Sequence, residues 1–88
     1  MNEFYLYILQ CSDGSYYTGH TDDLQKRLAE HNIGTFDGYT STRLPVKLVY
    51  RELFYTGDAA FIAERKIKGW SRMKKEILIQ KSWKALKK

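Results

Sequence analysis

This chain predicts an α+β domain, with a small three-stranded antiparallel sheet flanked by about three helices, and three observations carry that prediction. Two runs rich in Tyr, Ile and Leu, FYLYILQC at 4–11 and SYYTG at 15–19, flank Ser12-Asp13-Gly14. Strands joined by a tight turn have this pattern. The period then changes after Gly19, where Leu24 and Leu28 fall on one helical face. Finally, VKLVYREL at 46–53 alternates apolar and polar as a half-buried strand does.

Taken in order, the hairpin is followed by a helix at about 22–32, with Thr21 or Asp22 as its cap and Gly34 as its stop. Residues 33–45 carry Gly34, Gly38 and Pro45 without periodicity, so they read as a flexible loop feeding the third strand. A second helix follows Gly57-Asp58, with Asp58 as its cap and Ala63, Ile67 and Trp70 on one stripe; Glu64 sits at the edge of that stripe. SRMKKEILIQK at 71–81 continues as a third helix, and SWKALKK adds a last turn or frays. Trp70 reads as core, while Trp83 in the basic tail is free either to pack or to stack on a base.

With 88 residues, 43% hydrophobic and one proline, the chain predicts one folded domain, 1–88, with no repeat and little room for a deep cleft. Cys11 is the single cysteine, so an intrachain disulfide and a multi-thiolate zinc site are excluded. The N-terminus places Glu3 where a signal peptide wants positive charge, and no run reaches membrane-spanning length. A soluble cytoplasmic protein is the expectation.

The net charge of +5 is distributed unevenly. Residues 65–88 hold ten Lys or Arg against Glu76 alone, whereas residues 1–64 hold five basic and nine acidic residues. A concentrated positive segment attracts polyanions where a diffuse charge does not, although lysines also line ordinary solvated helix faces. Lys68, Arg72, Lys74, Lys75, Lys81, Lys84, Lys87 and Lys88 are the candidates for contacting backbone phosphates without reading sequence. Their contribution would fall steeply with salt.

Upstream, Tyr7 on the first strand and Tyr17 at the end of the second lie near the helix carrying Arg27 and His31. Those two are four residues apart and share a helical face. Each has an ordinary explanation alone. Tyrosines pack well across strands, Arg27 suits a helix surface, and Glu64 could simply pair with Lys68 for about 0.2–0.5 kcal/mol. His20, in a turn, reads as structural or incidental. The joint arrangement is what the separate explanations leave over.

In these residues the chain resembles the GIY-YIG nuclease superfamily, and in particular its small stand-alone bacterial members. Tyr5-Leu6-Tyr7 sits where that family has Gly-Ile-Tyr, and Tyr17-Thr18-Gly19 where it has Tyr-Ile-Gly, with nine residues between the triplets. The Arg27 and His31 pair is similar to its Arg-x-x-x-His or Arg-x-x-x-Tyr helix, and Glu64 to its single metal-binding glutamate. Tyr5 and Thr18 depart from the triplets without removing a reactive group. His20 stands where the excision-repair member has lysine.

The resemblance implies a metal-dependent endonuclease, and the chemistry of the residues suits one. Glu64 could hold Mg²⁺ or Mn²⁺, with water and substrate oxygens completing the shell. Arg27 offers a fixed fork to non-bridging phosphate oxygens. Tyr17 is expected to activate water with His31 accepting its proton, and Tyr7 to orient water or phosphate, although the two tyrosines could exchange roles. Lys68 could pair with Glu64 or contact phosphate. The expected substrate is DNA, branched, flapped or damaged rather than of defined sequence, in repair or recombination. Two alternatives stand beside it: a non-catalytic nucleic-acid-binding module, and an accessory subunit active only with a protein partner.

Overall fold

The computed structural model describes residues 3–34 and 38–86, with side chains through residue 81. The elements run β1 (Phe4–Gln10), β2 (Tyr16–Thr21), α1 (Leu24–Asn32), β3 (Lys47–Phe54), α2 (Gly57–Lys68) and α3 (Arg72–Leu86). The sheet is antiparallel throughout, in the order β2-β1-β3. The α+β class with three strands and three helices is the one read from the sequence.

Being central, β1 is covered on both faces, which is why four consecutive residues, Leu6 to Leu9, are at most 1% exposed. Alternation along the strand divides them between two cores. Tyr7 and Leu9 point to one face, where Tyr17, Leu24, Leu28, Leu44, Val46 and Leu48 pack. Leu6 and Ile8 point to the other, where α2 and α3 bring Ala63, Ile67, Leu78 and Ile79 and the link between them brings Trp70. Trp70 joins this second core at its margin; the side chains of Trp83 and Lys84, and Lys87 and Lys88 entirely, lie outside the described residues.

Three boundaries differ from the sequence reading. β2 continues past Gly19, because Tyr5 and Leu6 of β1 need partners and find them in Thr21 and His20. The cap of α1 is Asp23, whose carboxylate accepts from the Lys26 amide at 3.1 Å; Thr21 instead accepts from the Asp23 amide, leaving Asp22 without a capping role. In α2 the cap is Thr56, whose hydroxyl accepts from the Ala59 amide, and Asp58 lies inside the first turn, where its charge complements the helix dipole.

The segment from Gly38 to Val46 is a folded turn pinned at several points. The Ser12 amide donates to the Arg43 carbonyl at 2.9 Å, Arg43 pairs with Asp13 at 3.0 Å, and the Val46 amide donates to the Asn32 side chain. Gly38, at φ 128°, supplies a backbone geometry that other residues rarely adopt.

Gly19 has a different reason to be glycine. It pairs with Tyr7 across the strands, and the Tyr7 ring lies over it so closely that a Cβ would sit 2.6 Å from the phenolic oxygen and 2.7 Å from Cζ. Because Tyr7 is 1% exposed, its ring has nowhere to yield. Gly19→Ala is therefore expected to cost about 1–3 kcal/mol in urea denaturation and to displace the Tyr7 hydroxyl from its partner.

Candidate active site

Tyr7 projects from the middle of β1 toward the last turn of α1. There its hydroxyl meets Nε2 of His31 at 3.1 Å. His31 is 2% exposed, and its Nδ1 lies 2.9 Å from the hydroxyl of Thr40 on the folded turn. The Tyr17 ring stands edge-on to the His31 ring at 5.3 Å and stacks on Tyr39 at 6.4 Å. Arg27, one turn before His31, is half-buried and lies 3.7 Å from Glu30.

Burial makes Tyr7 and His31 reluctant to ionise. Desolvation, with the neighbouring Tyr17 hydroxyl, pushes the Tyr7 phenol up to about 12 against the opposing pull of the Arg27 guanidinium. Desolvation and the Arg27 charge push His31 down from its ordinary value, outweighing Glu30. At neutral pH the pair is a phenol and a neutral imidazole, and the imidazole is the ready acceptor.

The second half of the site comes from α2. Glu64, on its buried face, takes a hydrogen bond from His20 Nδ1 at 2.6 Å on Oε1 and an ion pair from Lys68 Nζ at 3.0 Å on Oε2. Burial pushes this carboxyl up, but the hydrogen bonds from His20 and Lys68 together outweigh it and hold Glu64 below its usual value. The Lys68 ammonium also lies 5.7 Å from the Tyr17 ring centre, which joins the glutamate side of the site to the tyrosine side.

Of the sequence candidates, Tyr7, Tyr17, Arg27 and His31 thus gather around the α1 face of the hairpin, and Glu64 with Lys68 meets them through Tyr17. His31 hydrogen-bonds Tyr7, not Tyr17 as expected. The other basic candidates are engaged elsewhere or face solvent. Arg72 donates to the Gly14 carbonyl at 2.8 Å, pairs with Glu76 and lies over the Tyr16 ring; Lys74 lies over Trp70; Lys75 is half-buried and Lys81 exposed.

Three residues of the site were not legible as such. His20 shares a strand face with Tyr16 and Thr18, a period-two signal present in the sequence, but only the packing of α2 reveals that Glu64 lies opposite. Tyr39 and Thr40 carry no local signal at all, since they reach the site through the turn.

Among the described residues no three His, Cys, Asp or Glu side chains cluster to hold a metal ion. A single anchoring ligand remains. Glu64 is a hard oxygen donor kept ionised by its neighbours, which suits an ion that retains most of its water, as Mg²⁺ does.

His31 also predicts a pH dependence of stability. Its folded-state pKa lies below the ordinary 6.5, so the unfolded chain binds more protons there and stability falls as pH drops through that value. The melting temperature of the parent should decline between about pH 7.5 and 5.5 more than that of His31→Gln, since the variant lacks the titrating group.

A hairpin carrying Tyr7 and Tyr17, a helix bearing Arg27 and His31, and a buried Glu64 fit a nuclease-type domain, and comparison with known proteins supplies that class. The family model of the GIY-YIG catalytic domain matches residues 3–76, and the chain belongs to that family. It is 49% identical over 76 residues to a UPF0213 protein of Bacillus pumilus, covering 86% of this chain and 78% of that one. A UPF0213 protein of Staphylococcus saprophyticus is 48% identical, with 90% and 96% covered. Among solved structures, the solution structure of UPF0213 protein BH0048 from Bacillus halodurans superposes with a TM-score of 0.58 at 41% identity, covering 89% of this chain and 83% of that one. That of EF2693 from E. faecalis gives 0.63 at 37%, with 92% and 86% covered. Among the described residues no helix is long and apolar enough to cross a membrane.

Proposed function

We propose that this protein is a metal-dependent endonuclease that hydrolyses phosphodiester bonds in DNA, selecting branched, flapped or damaged structure rather than sequence. The observation that carries this reading is the hydrogen bond from a buried tyrosine to a neutral histidine, set beside an ionised glutamate and a lysine. Water attack on a phosphodiester needs a route for its proton and positive charge for the phosphoryl oxygens.

The Tyr7 phenol is too weak an acid to be phenolate at neutral pH, so it cannot wait as a preformed base. It can receive the water proton while handing its own to Nε2 of His31. That relay assigns water activation to Tyr7 with His31, and the orienting role to Tyr17. Arg27 holds the non-bridging oxygens, and Lys68 supplies a second cation when it leaves Glu64. Glu64 would hold Mg²⁺ or Mn²⁺, which when bound polarises the phosphate and steadies the departing 3′ oxygen.

A second reading rests on one specific observation: His20 and Lys68 each engage one oxygen of Glu64, so an ion would have to share those oxygens with them or displace one. A non-catalytic nucleic-acid-binding module, or an accessory subunit completed by a partner, would keep that closed arrangement. Incubation of the purified protein with labelled single-stranded, duplex, flapped and four-way DNA, in Mg²⁺, Mn²⁺ or chelator, separates them. Cutting in metal and none in chelator supports the endonuclease; binding with no cutting in any ion supports the second reading.

A further inference from the structure

The turn that closes over α1 contributes a buried hydroxyl to the site, and the tyrosine-to-histidine relay does not itself use it. Thr40 is 2% exposed, and its Oγ1 lies 2.9 Å from Nδ1 of His31, nine residues away in sequence. Nε2 of the same ring faces the Tyr7 hydroxyl. A neutral imidazole carries its proton on one nitrogen only, and the hydrogen bond made by the second nitrogen decides which.

We infer that Thr40 is a positioning residue of the site: its hydroxyl accepts the Nδ1 proton of His31 and so leaves Nε2 bare toward Tyr7. This rests on the proposed relay, in which Nε2 must accept the phenolic proton. A hydroxyl can both give and accept, so the fold must fix its direction. Tyr7 does so from the other end, because its phenolic proton needs an acceptor inside the core and Nε2 lies beside it. The turn is itself braced by the Arg43 amide, which donates to the Thr40 carbonyl at 3.0 Å, and by the Arg43 pair with Asp13. The ring is thereby held at both nitrogens by groups from separate segments of the chain.

The test is the tautomer of His31, read from long-range ¹⁵N–¹H spectra of uniformly labelled protein at pH 7.5, with His31→Gln used to assign the signals. The parent and Thr40→Ser should show the proton on Nδ1. Thr40→Val keeps the shape and drops the hydroxyl, and should move the proton to Nε2 or mix the two forms. In the cutting assay Thr40→Val should lose about 10- to 100-fold, the loss that follows removal of a histidine's orienting partner in metal sites, and Thr40→Ser should restore most of it. A parent ring protonated on Nε2, or a Thr40→Val ring with an unchanged tautomer, would overturn the inference. The parent spectrum alone decides the first point even if Thr40→Val does not fold. Because the spectra need no cutting, an Nδ1 proton in an inactive protein would sink the endonuclease reading and leave the role of Thr40 in setting the ring intact.

Discussion

On the proposed reading, Glu64→Gln is expected to remove metal-dependent cutting, by about a thousandfold or more, while DNA affinity is kept. The substitution preserves the size of the side chain and one acceptor oxygen, which can keep the hydrogen bond from His20 while the amide NH2 gives up the contact with Lys68, so α2 should stay packed against β2. What it takes away is the formal charge, which is the property a single-carboxylate ion site depends on. Binding is expected not to suffer, because the Lys68 ammonium loses its anionic partner and becomes more available to phosphate. Rates under single-turnover conditions and affinities by fluorescence anisotropy in chelator report the two quantities separately. A Glu64→Gln variant that cuts at near the parental rate would mean that the ion, if there is one, is held elsewhere.

Tyr7→Phe is the second large effect. Loss of a proton-transfer group is worth about 10²–10⁴-fold in rate, and the proposed relay runs through the Tyr7 hydroxyl. Tyr17→Phe should lose far less, at most about tenfold, the worth of one orienting hydrogen bond. Tyr7→Phe also removes the Tyr7 hydrogen bond from buried His31, a cost of about 1–3 kcal/mol, so both variants must be compared well below their melting temperatures. The order of the two losses is the informative result. If Tyr17→Phe proved the more damaging, the division of labour first expected from the sequence would be restored, and the Tyr7–His31 hydrogen bond would be a structural one.

The tyrosines, the Arg27–His31 face and Glu64 were legible in the sequence because each sits in a regular element whose period assigns it a side. The hairpin register follows from the short turn at Ser12-Asp13-Gly14, and the i, i+4 spacing puts Arg27 over His31 without any knowledge of tertiary structure. Where the reading stopped was at contacts between elements. Which tyrosine receives His31 depends on the crossing of α1 over the sheet, and Tyr7 wins because it lies on the central strand, opposite a glycine that leaves room for its ring. His20 looked incidental because β2 was read as ending at Gly19; one more strand residue turns it toward Glu64. Thr40 sits in a turn with no periodicity, and only the pinning of that turn by Asp13, Ser12 and Asn32 places its hydroxyl on the histidine. The basic segment at 65–88 likewise read as one phosphate-binding block, whereas Arg72 is largely committed to holding α3 on the hairpin turn.

The most direct measurement is the single-turnover cleavage rate of the DNA shape selected by the substrate panel, followed as Mg²⁺ or Mn²⁺ is titrated, for the parent beside Glu64→Gln. A saturable, metal-dependent rate in the parent, with 5′-phosphate and 3′-hydroxyl ends, and no such rise in the variant is the expected result. Bound DNA left intact by both proteins at every metal concentration would contradict it, and would make the domain a binder of nucleic acid that carries the nuclease fold without its reaction.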